Sequence, residues 1–113
     1  MRILVTGGNG MVGSHIKDLV EKAKKKDQSM TEEEQTLLNE HEFKFLTRED
    51  CELTSRMSVL HYFSGNKNYD CIIHLAACVG GLFMNMNNGI KMFSDNIKIN
   101  ENILEASHRY GIK

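Results

Sequence analysis

An α/β chain wound around a parallel sheet is what this sequence predicts, on three observations. Short apolar runs suited to buried strands alternate with longer segments whose apolar residues recur at helical spacing. Those segments are long enough to act as crossovers between parallel strands. Between the first strand and the first helix lie four glycines within seven positions, Gly7, Gly8, Gly10 and Gly13.

The elements follow in order. Ile3-Leu4-Val5 is a continuous apolar run closed by Thr6 and glycine, as a buried parallel strand would be. From Met11 the period changes, with Val12, His15, Ile16, Leu19, Val20 and Ala23 recurring at helical spacing up to a lysine cluster whose charge suits a helix C-terminus. The span from about 27 to 41 is polar and reads as a surface insertion, with Thr31-Glu32-Glu33-Glu34 as a capping box for a short helix. Phe43-Lys44-Phe45-Leu46 is the second strand. Thr54-Ser55 caps a helix carrying Met57, Val59, Leu60 and Phe63 and ending at Gly65.

Tyr69 to Ala77 is the third strand, apolar enough to be covered on both faces. After Gly80-Gly81 comes a long helix with Ile90, Phe93, Ile97, Ile99, Ile103, Leu104 and Ala106 on one broad face, stopped by Gly111. Ile112-Lys113 is the first step of a fourth strand. Residues 1–113 thus form one domain, the N-terminal part of a partial Rossmann-like, doubly wound parallel sheet (β-α-β-α-β-α) truncated before its fourth strand. The expected strand order is 3-2-1, with the fourth strand beside the first. On that order the first strand is an open edge in this chain, which makes self-association and marginal stability the expectation.

Bulk properties narrow the function classes. Of 113 residues, 41% are hydrophobic and 26% charged, as in soluble globular proteins. A net charge of −1 gives no field that recruits nucleic acid or an acidic membrane surface. No apolar run is long enough to span a bilayer. Cys51, Cys71 and Cys78 are odd in number and form no C-x-x-C pair, which points to free thiols in a reducing, cytoplasmic setting. They share no metal-ligand spacing with His15, His41, His61, His74 or His108.

The glycines carry the chemistry. Gly7, Gly10 and Gly13 form G-x-x-G-x-x-G between strand and helix, a variant of the dinucleotide fingerprint. One glycine permits the tight turn, one lets the backbone approach a pyrophosphate, and one lets helix and sheet pack closely. The N–H groups opening the helix then meet the anion. At the end of the second strand, Leu46-Thr47-Arg48 offers a hydroxyl and a guanidinium. Arg48 suits a ribose 2′-phosphate, which favours NADP over NAD. Glu49 and Asp50 keep NAD open, since a one-residue slip in register would put a carboxylate at the ribose.

Three stretches then resemble one family. The run from Thr6 to Gly13, Ile73-His74-Leu75-Ala76-Ala77, and above all Val79-Gly80-Gly81-Leu82-Phe83-Met84-Asn85 are similar to the GDP-L-fucose synthases. These are bifunctional 3,5-epimerase/4-reductases of the extended short-chain dehydrogenase/reductase group. Asp95 to Leu104 also resembles their helix, and the likeness covers the chain apart from the polar span near 27–41. The resemblance implies that Gly7, Gly8, Asn9, Gly10, Met11, Val12 and Gly13 contact the cofactor pyrophosphate, and that Leu46, Thr47 and Arg48 surround the adenosine ribose. It also implies that the ribose stretch continues through Glu49 and Asp50 to Cys51, that Leu75, Ala76 and Ala77 run along the cofactor and that the 79–85 loop faces a nucleotide-sugar pocket.

Asn9 stands where such enzymes often have a basic residue, which places more of the NADP selectivity on Arg48. The implied catalytic serine and Y-x-x-x-K are absent from this chain: Tyr62 is followed four positions on by Asn66, Tyr69 by Ile73, and Tyr110 by no lysine. The expectation is a cofactor-binding portion, inactive alone, of an enzyme that is a homodimer when complete. A non-catalytic NAD(P)-binding module, or part of an NAD-dependent epimerase or dehydratase, is the alternative. His74 reads as a satisfied core histidine and Cys78 as a small packing residue.

Overall fold

β1 (Arg2–Thr6) occupies the middle of a three-stranded parallel sheet and not its edge. A computed structural model describes residues 1–66 and 68–113, with only the backbone of Phe83 among them. After β1 come α1 (Met11–Lys24), α2 (Glu32–Asn39), β2 (Glu42–Phe45), α3 (Arg56–Gly65), β3 (Cys71–His74) and α4 (Leu82–Tyr110). The sheet order is β2-β1-β3. Val5 pairs with Phe45 on one side and with Ile73 on the other.

This order corrects the expected 3-2-1 arrangement. The physical reason is hydrogen bonding on both sides of β1: its two neighbours supply complete ladders, so no open edge remains there. The next step of the chain is placed as well. Ile72 N–H donates to Lys113 O at 2.6 Å, and Lys113 N–H donates to Asp70 O at 3.1 Å. Lys113 therefore extends the sheet beside β3, and the outermost positions belong to β2 and to this last residue.

Handedness distributes the helices. The β1-to-β2 crossover moves one way across the sheet and the β2-to-β3 crossover moves the other, so right-handed connections put α1 and α3 on opposite faces. The packing agrees. Leu4 is fully buried with Val59 and Phe63 of α3 and Ile103 and Ala106 of α4. Ile3 and Val5 point the other way, onto the face where Lys17 of α1 sits over the Phe45 ring at 5.9 Å. At the centre of the main core, the Phe63 ring meets Tyr69 edge-on at 6.4 Å and stacks with Tyr110 at 6.3 Å. Rings in these arrangements add to what their buried area contributes.

Helix boundaries follow their chemistry. The capping box of α2 is complete: Glu34 N–H donates to Thr31 Oγ1 at 3.1 Å and Thr31 N–H donates to Glu34 Oε2 at 2.9 Å. No residue of α2 is buried, and the helix lies on α1, where Asn39 Nδ2 donates to Ala23 O. Ser55 caps α3 through Ser58 N–H, and Gly111, at φ 65°, closes α4.

Two further expectations change. The apolar residues of α4 divide between two faces: Ile99, Ile103 and Ala106 are buried against the sheet, while Ile90, Phe93, Ile97 and Leu104 are exposed on the far side. Every residue of β3 is only half-buried, so neither face of this strand is fully covered. Among the described residues no helix is long and apolar enough to cross a membrane.

Candidate functional site

Parallel strands deliver their C-terminal ends to one rim. The loops after Thr6, Phe45 and His74 therefore lie side by side, the place where open α/β sheets gather ligands. They enclose a cleft of about 840 Å³. Gly7 to Gly13, Leu46 to Arg48, Cys51 and Leu75 to Ala77, all singled out from the sequence, line it, whereas Glu49 and Asp50 do not. Met11 and Val12, expected on the apolar face of α1, are exposed because they border this cleft.

The bend after β1 admits no side chain at two positions. Gly7 has φ +72°, and a Cβ there would lie 2.7 Å from the carbonyl carbon of Leu75. At Gly13 a Cβ would stand 2.2 Å from Gly7 O, inside the bend itself. Gly10 N–H donates to Gly7 O at 3.0 Å and tightens the turn. Gly10 is the N-cap of α1 and gives no side-chain cap, so the helix opens with its first-turn N–H groups facing the cleft.

The second wall is a turn set by its own hydrogen bonds. Thr47 N–H donates to Asp50 Oδ2 at 3.0 Å, and Asp50 N–H donates to Thr47 Oγ1 at 3.3 Å. The Thr47 N–H, with Lys44 3.5 Å away, holds the Asp50 carboxyl below its ordinary range. That engagement turns Asp50 away, and neither it nor Glu49 lines the cleft. On this wall the carboxylate lining the cleft is Glu52, which carries no signal in the local sequence. Glu52 accepts from Thr54 Oγ1 at 3.0 Å and lies 3.9 Å from Arg48 Nε. Arg48 itself reaches into solvent at the cleft mouth, its side chain 86% exposed.

The third wall is held by groups from distant parts of the chain. Thr6 Oγ1 accepts from Leu75 N–H and Ala76 N–H, both at 3.1 Å. Its one proton is then left for His74 Nδ1, 2.7 Å away. With Nδ1 accepting, His74 Nε2–H donates to Asn100 Oδ1 at 2.9 Å. Both ring nitrogens are used structurally. Asn96 of α4 grips the next residue from both sides, accepting from Cys78 N–H at 2.6 Å and donating to Cys78 O at 2.9 Å. Thr6, Asn96 and Asn100 were not readable as site residues, since their partners lie elsewhere in the sequence. Cys51 is buried at the cleft floor, where burial pushes its thiol up.

Lys91, Asp95 and Ile99 of α4 close the open side. Val79 also lines the cleft, and α4 begins two residues after Gly80, so the Val79–Asn85 stretch forms a loop-to-helix junction at the rim. The Phe83 side chain of that stretch lies outside the described residues. A more open depression of about 900 Å³ runs along Asn85 to Ile90, where α4 kinks at Asn88. It offers no glycine bend.

Comparison with known proteins agrees with this geometry. Residues 3–113 match the NAD dependent epimerase/dehydratase family. Over 110 residues the chain is 36% identical to a GDP-L-fucose synthase of Dictyostelium discoideum, a match covering 97% of this chain and 30% of that protein. A probable GDP-L-fucose synthase of Drosophila melanogaster matches with the same identity and the same coverage. A crystal structure of a GDP-L-fucose synthetase from Naegleria fowleri bound to NADP superimposes with a TM-score of 0.71 and 32% identity, covering 99% of this chain and 29% of that one. The chain thus spans about 30% of the length of the curated relatives it matches.

Proposed function

The chain belongs to the NAD dependent epimerase/dehydratase family, and from that premise we propose that it is the cofactor-binding portion of an NADP-dependent nucleotide-sugar epimerase-reductase. The reaction proposed for the complete enzyme is conversion of GDP-4-keto-6-deoxy-D-mannose to GDP-L-fucose. One observation carries the cofactor reading: the glycine bend, whose Gly7 and Gly13 positions exclude any Cβ, opens a helix with no side-chain cap into the cleft.

The residues fit the group. Backbone N–H groups of residues 7–13 would hold the pyrophosphate, since an anion at a helix N-terminus meets both free donors and the helix dipole. Arg48 would pair with the ribose 2′-phosphate, and the Leu75–Ala77 strip would run beside the cofactor. The chemistry that bound NADPH supplies is hydride delivery to a keto carbon. This chain's part is to hold and orient: Thr6 and Asn96 fix the strip, and α1 fixes the bend. No Y-x-x-x-K lies in the chain, so binding without turnover is the expected behaviour of residues 1–113. The nucleotide sugar, a homodimeric state and a cytoplasmic setting are proposed for the complete enzyme.

Glu52 on the cleft wall favours a second reading, an NAD-using epimerase of the same family, because a carboxylate can hold ribose hydroxyls. Titration of NADPH and NADH against the wild type and Arg48→Ala separates the two. Removing the guanidinium that pairs with the 2′-phosphate should weaken NADPH roughly 10-fold or more while sparing NADH. Equal affinities that ignore the substitution would favour the NAD reading.

A further inference from the structure

Among the described residues two cations stand on the cleft walls, and the function proposed above uses only one. Arg48 extends from the loop after β2, and Lys91 extends from the N-terminal half of α4. The two side chains line the same cleft. The glycine bend between them adds none, since Asn9 is its only polar side chain.

Each cation has a carboxylate partner in a pair open to solvent, and such pairs contribute little. Arg48 lies beside Glu52, and Lys91 donates to the Asp95 carboxylate one helical turn on. The Lys91 side chain is 73% exposed while that of Asp95 is only 15% exposed. The ammonium can therefore swing toward the cleft on its four-carbon stem while the carboxylate stays in place. Two like charges facing one gap repel, and a dianion placed between them converts that repulsion into two attractions.

We infer that Lys91 is a second specificity-determining residue: with Arg48 it brackets a phosphate monoester on the adenosine ribose, so that recognition of the phosphorylated dinucleotide is shared between the β2 loop and α4. This rests on the NADP reading of the cleft. Arg48 supplies the planar, two-pronged contact from the β2 loop, and Lys91 supplies a mobile point charge from α4. Asp95 then has a definite role, as the ligand-free resting partner that competes with the phosphate for Lys91.

Equilibrium titration of the 113-residue chain with NADPH and with NADH tests this in the wild type, Lys91→Met, Lys91→Arg and Asp95→Asn. Lys91→Met should weaken NADPH about fivefold, the upper end for an exposed ion pair, and leave NADH unchanged. Lys91→Arg should keep the preference. Asp95→Asn should tighten NADPH, an improvement that damage to the fold could not produce. Loss of NADH binding equal to that of NADPH in Lys91→Met, or no change in either, would overturn the inference. A wild type with no NADPH preference would instead refute the underlying NADP reading, and Lys91 with it.

Discussion

Gly13 shows how much one hydrogen atom in place of a methyl group decides. A Cβ there would be 2.2 Å from a backbone oxygen and 2.7 Å from Gly8 Cα, neither of which can yield without moving the bend or lifting α1. Gly13→Ala should therefore abolish NADPH binding and destabilise the chain by about 1–3 kcal/mol, the usual cost of overpacking. Gly65, with open space around it, supplies the control: Gly65→Ala should leave binding intact. Titration and thermal melting of the two variants check this together. At this scale the sequence was a partial guide. Gly7 and Gly13 were legible because only glycine satisfies a close backbone approach between strand and helix. Thr6, Asn96 and Asn100 were not, because a hydroxyl or an amide acquires its meaning from partners that folding brings in. Glu52 was hidden for a related reason: the hydrogen-bonded turn at Thr47 and Asp50 rotates the next carboxylates out of the cleft, and local spacing does not reveal that.

α3 and α4 are tied at the surface as well as in the core. Arg56 donates to Glu105 through Nε at 2.8 Å and Nη2 at 2.6 Å, a two-pronged contact that Arg109 joins at 3.4 Å. Hydrogen bonds from Arg56 hold the Glu105 carboxyl below its ordinary value of 4.5. A lowered folded-state pKa means that the unfolded chain takes up the proton first. The stabilisation is thus complete above the ordinary value and drains away as pH falls through the lowered one. Wild type and Glu105→Gln should differ slightly in Tm at neutral pH, and the gap should close below pH 4.5; a gap constant across the range would deny the pair any role. The ends of α4 were readable, since Gly81 opens it and Gly111 takes the left-handed turn that closes it. Its sides were not. Ile99, Ile103 and Ala106 share composition with Ile90, Phe93, Ile97 and Leu104, and only the position of the sheet separates the buried set from the exposed one.

At the scale of the 113 residues together, that second set stands exposed. Ile90, Phe93, Ile97 and Leu104 follow one another at steps of three, four and seven, the spacing of a seam between paired helices. The homodimer proposed above should therefore pair through α4. Light scattering should show a dimer of the wild-type chain and a monomer of the Ile90→Asp, Phe93→Asp double variant, with NADPH affinity retained by both; a wild-type monomer would show that this face does not pair. Sheet order was the feature that strand spacing alone could not supply. A β-α-β-α-β sequence pattern fits either order of strands under the right-handed rule, and the choice rests on which ladder β3 completes. The pairing found constrains the order in which the sheet can assemble. Thr6 and His74, which share a hydrogen bond, are 68 positions apart. Ile3-Leu4-Val5 has both of its neighbours only once the Cys71–His74 segment has followed it, so the sheet closes through contacts distant in sequence, the kind that slow folding.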